Sequence, residues 1–594
     1  MEQALTGAIA GALAGLGIDA DVTRLRLERP SRAGHGDWSS NAAMVYAKAA
    51  KMAPRELAER ITAELGSASV PHLERAEVAG PGFVNVHLSP LWLHEVLATV
   101  LREGAQRYAC PDIGNGQTVN LEFVSANPTG PLHAGGGRWG AFGDSLARLF
   151  RRCGYETVTE YYVNDLGVQV QLFGQSLVAR MTGEPVPNDG YHGQYVADFG
   201  DDFHQGRYLE EWADELAVVL RKAGDIEPAE ALEAIARSQG SWPMPGLLPP
   251  GVRLAAQWGM RRALRDVRES LEAMNVSFDH WQYETKVVEP DPGDLAIPMA
   301  GVLELLRDRG ATYEQDGAVW LRTSEFGDDK DRVLIRSNGE PTYFLPDIAY
   351  HHAKFSRDGR DIDRVIDVLG ADHHGYVARM AAAMRMLGHQ PESDKPAFYE
   401  TIVGQNVTLM RDGQVIELSK RTGTMVEVRE LIDAVGPDVA RFAFLLQSID
   451  TRQTIDIDLL CAQATENPVF YVQYAHARIA SVQRKASAEG VESAPADNID
   501  LALLVSEREI ALMRALEVLP SVVELAQRER APHKVSTWVR DLAAAFHGFY
   551  HDCPILRSDV SPQQRDARLC LTEGTRIGLA IGLDLLGVNA PEQM

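Results

Sequence analysis

The sequence predicts an α/β protein in three parts: an N-terminal α+β module, a central body of alternating strands and helices, and a C-terminal all-α bundle. Residues 1–110 mix helical and strand patterns, residues from 117 to about 440 alternate between them, and from about 456 the periodicity is helical throughout. A chain of 594 residues holds about four folding units of about 150 residues, or three with one enlarged by insertions. With 45% hydrophobic and 24% charged residues it can bury a core.

Lys+Arg total 58 and Asp+Glu 83, a formal net charge of −25. That balance disfavours non-specific nucleic-acid binding, although a local basic face can sit on an acidic body. The five cysteines, Cys110, Cys153, Cys461, Cys553 and Cys570, form no C-x-x-C pair. Neither a zinc ribbon nor a disulfide framework is suggested, and the odd count fits a reducing compartment. No apolar stretch is long enough for a membrane span.

The Ala- and Gly-rich start, residues 1–17, carries Glu2 and no Lys or Arg, so it lacks the basic region of a signal peptide. Leu5, Ile9, Leu13 and Leu16 fall at helical spacing with Gly17 as a stop, which predicts an amphipathic helix. Pro54 opens a second helix running through Ile61. Gly80-Pro81-Gly82 is a turn, and the alternation from Phe83 to Leu88 is a strand. The turn-rich run Cys110 to Gly116 marks a boundary. Thr118 to Val124 then reads as a strand, Gly140 to Cys153 as a helix with Phe142, Leu146, Leu149 and Phe150 on one face, and Thr157 to Val163 as a strand. A mainly helical stretch from about 172 to 280 includes a surface loop from Trp242 to Pro250. Alternation resumes near 315, with Val365 to Leu369 a short apolar strand.

The sharpest chemical signal runs from Leu121 to Gly140: a strand, a Pro/Gly loop, His133, three glycines and a helix. Glycines let a backbone approach closely, and a helix start offers N–H groups and a positive dipole end to a phosphate. His133 can add a donor there. Gly135, Gly137 and Gly140 match the dinucleotide fingerprint G-x-G-x-x-G. In that fold the first glycine follows the strand at once, so the loop from Ser125 to Leu132 argues against a dehydrogenase. Taken alone, the segment also reads as a helix-packing glycine cluster with a surface histidine. His351-His352 and His373-His374 are weak metal evidence, because adjacent side chains point in different directions, and no structural zinc is expected.

The run Asn127 to Gly136 resembles the His-x-Gly-His signature of class I aminoacyl-tRNA synthetases, and Ile416-Glu-Leu-Ser-Lys-Arg421 resembles their Lys-Met-Ser-Lys signature. The two stand in the expected order across a nucleotide-binding body. The blocks Tyr161–Gln169, Asp189–Gly193, Phe326–Val333, Thr342–His351, Gly370–Tyr376, Asn467–Arg478 and Gly582–Met594 are similar to bacterial-type arginyl-tRNA synthetase in particular. The resemblance therefore covers nearly the whole chain.

The resemblance implies an additional N-terminal domain at 1–112 that contacts tRNA. It implies a Rossmann-like catalytic domain at 113–455 with a helical insertion at about 172–280, and a helical anticodon-binding domain at 456–594. The expected activity is ATP-dependent ligation of L-arginine to tRNA(Arg) through an arginyl-adenylate, with tRNA needed for activation, ATP and Mg²⁺ as cofactors, and a cytoplasmic monomer. His133, Ser419 and Lys420 are the implied catalytic residues. Asn127, Pro128, His133, Gly135, Gly136, Arg138, Asp372, His373, Leu418, Ser419 and Lys420 would line the nucleotide. Glu122, Ser125, Asn127, Asp165, Gln169, Tyr343 and Asp347 would hold arginine, and Tyr474 and Met594 would contact tRNA. Carboxylates suit this substrate, because a guanidinium is planar, always charged and best bound by bidentate acceptors. Tyr343 and Asp347 would share a face at i and i+4 if one helix covers both, while Pro346 fits best at a helix start.

Two positions depart from the pattern. Gly136 replaces the second His of the first signature, and Glu417 replaces the first Lys of the second. Family members without that Lys tend to carry one shortly before the signature His. Here that position is Gly130, and no Lys occurs from Asn127 to His133. Two readings stay open: an active ligase with altered activation, or a weakly catalytic or non-catalytic paralogue that binds tRNA or arginine in a specialised or resistance role.

Overall fold

The computed structural model describes residues 1–30, 35–205, 250–288, 299–357, 359–371, 374–389, 399–416, 426–461, 467–491 and 499–594. The chain forms two compact units. One comprises Met1–Tyr108, Val482–Val518 and Ala544–Ile577; the other comprises Ala109–Ser481, Leu519–Ala543 and Gly578–Met594.

In the first unit, helices α1 (Glu2–Gly15), α2 (Ala42–Ala50) and α3 (Pro54–Ser67) pack with a four-stranded antiparallel sheet of β1 (Leu27–Glu28), β2 (Trp38–Ser40), β3 (Leu73–Ala79) and β4 (Phe83–Leu88), in the order β1-β2-β4-β3. The helical spacing at the start of the chain does what it predicts: Leu5, Ile9 and Leu13 are wholly buried. Pro54 stands in the first turn of α3, where its missing N–H has no partner to lose. Helix α4 (Leu91–Arg107) follows β4.

The second unit is built on a parallel sheet. Its strands are β5 (Thr118–Glu122), β6 (Glu156–Val163), β7 (His280–Tyr283), and two that come later in the chain. The intervening elements are α5 (Ala134–Arg152), α6 (Val168–Thr182), α7 (Gln194–His204), α8 (Pro250–Ala273), α9 (Glu284–Val288), α10 (Met299–Asp308), the antiparallel strands β8 (Thr312–Gln315), β9 (Ala318–Leu321) and β10 (Arg332–Ile335), α11 (Phe344–Ala353), and the hairpin β11 (Ser356–Arg357) and β12 (Arg360–Asp361). Strand β13 (Arg364–Gly370), α12 (His374–Met386) and β14 (Tyr399–Gly404) complete the sheet, whose order is β14-β13-β5-β6-β7. All neighbouring pairs in it are parallel. From β5 the chain passes through α5 to β6 on one side, while β13 lies on the other. A doubly wound sheet binds its ligand in the crevice at the carboxyl ends of such strands.

Strand β5 ends two residues before its predicted end. Val124 (φ 70°) and Ser125 (φ 36°) adopt left-handed backbone and turn the chain away. Helix α5 starts six residues earlier than its apolar pattern suggests, because it is buried all round and its glycines are contact points. A Cβ at Gly136 would overlap Leu132, one at Gly140 would meet Leu271, and one at Gly143 would overlap Phe123. Close packing outweighs the poor helix propensity of glycine here. Helices α6, α7 and α8 pack around Phe173, Tyr191, Tyr195, Phe199, Phe203 and Trp258. Of the predicted loop from Trp242 to Pro250, residues 242–249 lie outside the described residues, and Pro250 opens α8.

The chain continues through β15 (Val407–Arg411), β16 (Gln414–Ile416), α13 (Val428–Val435), α14 (Pro437–Phe444) and β17 (Gln453–Asp456). Helices α15 (Ile457–Cys461), α16 (Pro468–Ala488), α17 (Glu507–Glu517), α18 (Leu519–Arg528), α19 (His533–Asp552) and α20 (Pro562–Leu585) follow, as the periodicity predicts. Among the described residues no helix is long and apolar enough to cross a membrane.

Candidate active site

Glu122, the last residue of β5, is in register with Asp367 of β13 on one side and Glu160 of β6 on the other. Three carboxyl side chains thus stand in one row across adjacent strands, only 6%, 1% and 0% exposed in the order Glu122, Asp367, Glu160. Against them lies α11, with Asp347, Tyr350, His351 and Lys354 spaced i, i+3, i+4 and i+7, one helical face. The Lys354 ammonium donates to Glu122 Oε2 at 2.5 Å and to Asp367 Oδ1 at 2.6 Å. The Tyr350 hydroxyl lies 2.5 Å from Glu122 Oε2 and 2.9 Å from Glu160 Oε1. Pro346 lies in the first turn of α11 and Tyr343 caps it, so the proline is compatible with Tyr343 and Asp347 at one helix end. The Tyr343 ring is 67% exposed.

Asp347 is pushed up to about 6, chiefly by burial, with Glu122 adding repulsion while His351 and Arg379 oppose it. Glu284, the first residue of α9 beyond the carboxyl end of β7, is pushed up to about 7 by burial, then by Asp347 and Asp165. Glu284 is the functional candidate that no motif pointed to; its one signal is its place directly after a strand of the parallel sheet. Asp165 accepts from Thr285 N at 2.9 Å and Thr285 Oγ1 at 2.6 Å, which ties it to the start of α9. The buried Tyr162 is raised far above the usual phenol range, by burial and then by Glu284, Asp347, Glu122 and Asp165. Its ring packs 4.5 Å from that of Tyr350. The result is a cluster of acids walled by aromatic rings, which favours a bound cation.

The loop after β5 is held from several sides. Ser125 Oγ donates to Glu122 Oε1 at 2.7 Å and accepts from Tyr162 N at 3.0 Å, so it braces Glu122. Asn127 and Gln169, both expected at the substrate, meet through a 2.7 Å hydrogen bond. The hydroxyl of Tyr195 on α7 donates to the Thr129 carbonyl at 3.0 Å. Its ring fills the space where a Cβ on Gly130 would come within 2.8 Å. In this conformation there is no room for a lysine at that position.

His133 is the N-cap of α5, and its Nδ1 accepts from Gly136 N at 3.2 Å. That leaves Nε2–H as the ring's donor. Gly135 must be glycine because the His133 ring folds over it, 2.9 Å from where a Cβ would be. Opposite, Glu427 pairs with His133 in an isolated antiparallel bridge, and Val428 N donates to the Leu132 carbonyl at 2.8 Å. Glu427 caps α13 in a reciprocal pair with Glu430.

One expected nucleotide contact is corrected. Arg138 is wholly buried. Its guanidinium donates to the carbonyls of Gln405 (2.9 Å), Thr451 (2.9 Å) and Ser448 (2.7 Å). Those donors hold backbone together and do not face a phosphate. Asp372, His373, Glu417, Leu418, Ser419 and Lys420 lie outside the described residues. Tyr474 sits on α16 beneath the Arg478 guanidinium, 4.3 Å from the ring centre, and Met594 is 56% exposed.

Comparison with known proteins gives the family. Family models match in three places: the arginyl tRNA synthetase N terminal domain at residues 3–88, the class I (R) tRNA synthetase catalytic domain at 268–450, and the DALR anticodon binding domain at 472–594. A protein of Frankia alni named arginine–tRNA ligase is 40% identical, covering 100% of this chain and 99% of that one. Its namesake in Bacillus subtilis is 38% identical, covering 98% and 96%. The solved arginyl-tRNA synthetase of Thermus thermophilus has the same fold, with a TM-score of 0.72 at 22% identity over the whole of both chains. With a parallel-sheet class I catalytic domain, an N-terminal module and a helical C-terminal domain, the chain belongs to the arginine–tRNA ligase family.

Proposed function

We propose that this chain joins L-arginine to the terminal ribose of tRNA(Arg), with ATP as co-substrate. The observation that most supports this is the placing of Glu122 at the carboxyl end of β5 and Glu284 directly after β7, with Asp347 of α11 close enough to repel Glu284 and to be repelled by Glu122. A guanidinium relieves that repulsion and, being planar and permanently charged, makes full use of several acceptors. Tyr343, at the start of α11, would cover the pocket, and Asn127 with Gln169 would hold the amino-acid main chain.

In the first step an arginine carboxylate oxygen attacks the α-phosphorus of ATP. The bond to the β-phosphate breaks, pyrophosphate leaves with the electron pair, and arginyl-adenylate forms. In the second, a ribose hydroxyl of tRNA attacks the activated carbonyl, loses its proton, and AMP departs. The protein's share is positioning and positive charge on the phosphates. His133 would donate from Nε2 to a phosphate oxygen while its Nδ1 stays bound to Gly136 N, and the start of α5 would add its dipole. Ser419 and Lys420 would supply further donors by family resemblance, with Pro128, Gly135, Asp372, His373 and Leu418 around the nucleotide. Mg²⁺ would be carried by phosphate oxygens, neutralising their charge. Tyr474 and Met594 would meet tRNA, and the chain would act as a monomer.

Aminoacylation with arginine and tRNA(Arg) tests the reading, and pyrophosphate exchange should stay near background until tRNA is added. Gly136 and Glu417 motivate the alternative of a non-catalytic paralogue. That alternative gains if tRNA binds but no arginyl-tRNA and no exchange appear.

A further inference from the structure

Adjacent parallel strands lie about 4.8 Å apart. Like charges directly opposite one another on a sheet are destabilising, and buried ones more so. Three carboxyls in one row therefore need compensation, and α11 brings it. Lys354 is wholly enclosed, 0% exposed, and shares its ammonium between Glu122 and Asp367. His351 faces acceptors with both nitrogens: the Asp347 carbonyl lies 2.7 Å from Nδ1 and Asp367 Oδ2 lies 2.9 Å from Nε2. Asp367 Oδ2 also accepts from the Tyr399 hydroxyl at 2.8 Å, so both of its oxygens are engaged. Glu122 is likewise engaged at both oxygens, at Oε1 by Ser125 and at Oε2 by Tyr350 and Lys354, but it sits at the end of its strand and keeps 8% of its side-chain surface exposed. Lys354 thus sits behind the one acid of the row that borders the pocket.

We propose that Lys354 is the positioning residue of the arginine pocket. It takes up the charge of Glu122 and Asp367, fixes the Glu122 carboxylate at the pocket floor, and leaves selection of the guanidinium charge to Asp347 and Glu284. This rests on the arginine reading above. It follows that Glu122 acts by geometry, as an oriented acceptor, more than by net charge. A lysine buried this deeply makes no contact with substrate and acts only through the carboxylate it holds.

The test is a double-mutant cycle in the full-length chain. The variants are Lys354→Met, Glu122→Gln and the pair together, with KM for arginine and for ATP read separately in aminoacylation. Lys354→Met leaves two buried carboxylates facing each other. It should raise the arginine KM by about tenfold or more, with the ATP KM changing less than about twofold. In the Glu122→Gln background, where there is no carboxylate left to orient, adding Lys354→Met should change the arginine KM by less than about twofold. If Lys354→Met alone does not fold, the comparison of Glu122→Gln with the double variant, which retains Asp367 paired to His351 and Tyr399, decides the matter. A further rise of about tenfold in the double variant overturns the proposal, as does an equal rise in both KM values. If the unaltered chain forms no arginyl-tRNA at all, the functional reading fails first; if it does and the cycle is additive, only the role of Lys354 fails.

Discussion

Arginine should bind about twentyfold more weakly at pH 6 than at pH 8. Two carboxyls of the proposed arginine site are held well above the ordinary carboxylate range, Asp347 at about 6 and Glu284 at about 7. Around Asp347 stand His351, Glu122 and Arg379, and around Glu284 stand Asp347 and Asp165. At pH 6 roughly half of Asp347 and about one tenth of Glu284 are ionised, so about one molecule in twenty carries both charges; at pH 8 nearly all do. If the guanidinium requires both, the apparent Kd rises in inverse proportion to that fraction, which gives the figure of about twentyfold. The guanidinium itself stays charged across the window. Isothermal calorimetry at pH 6, 7 and 8 and constant ionic strength measures the affinity. Repeating it near pH 6.5 in two buffers of different ionisation enthalpy measures the protons that arginine expels. An affinity flat within about twofold, with no proton release, would refute the two-carboxylate pocket.

Other outcomes follow from the same geometry. A carboxyl whose folded pKa is raised opposes folding once it ionises, so the stability tied to its protonated form is lost as pH rises through that pKa. Glu284→Gln should therefore raise the Tm of the free chain at pH 8, by at most about 3 kcal/mol of stability, change it little at pH 4, and weaken arginine binding. Asp347→Ala should lower arginine affinity by about tenfold or more in calorimetry while leaving the ATP KM in place. Glu417→Lys alone should speed pyrophosphate exchange by about 10- to 100-fold in kcat without moving the arginine KM. Gly136→His, which would complete the first signature on paper, should lower Tm because its Cβ overlaps Leu132; pairing it with Leu132→Ala should recover part of the loss.

Local patterning was enough for the elements with one apolar face. Leu5, Ile9 and Leu13 mark one face of α1, and Val84, Val86 and Leu88 mark the apolar face of β4, although Asn85 on its other face is buried too. It was misleading for α5, where glycines that look like a loop are helical because Leu132, Leu271 and Phe123 occupy the space their side chains would take. Glu122 and Asp347 became candidates through family resemblance. Their partners were less so: Glu284 begins a five-residue helix with no motif of its own, and the Glu160–Glu122–Asp367 row exists only once three separate strands are in register. Arg138 misled for a related reason. An arginine among signature glycines suggests a phosphate ligand, and nothing local reveals the three carbonyls, more than 250 positions away, that take up its donors.

The turn after β5 bears on any attempt to engineer this protein. Val124 and Ser125 hold φ values of 70° and 36° without being glycine, conformations that cost of order 1–3 kcal/mol each. A directed-evolution campaign scored on heat resistance alone would be drawn to this spot, since Ser125→Gly relaxes the backbone. The same exchange removes the hydroxyl that links Glu122 Oε1 to Tyr162 N. Survivors would melt later and discriminate arginine less well, so thermal screens of this chain need a substrate-affinity counter-screen from the first round.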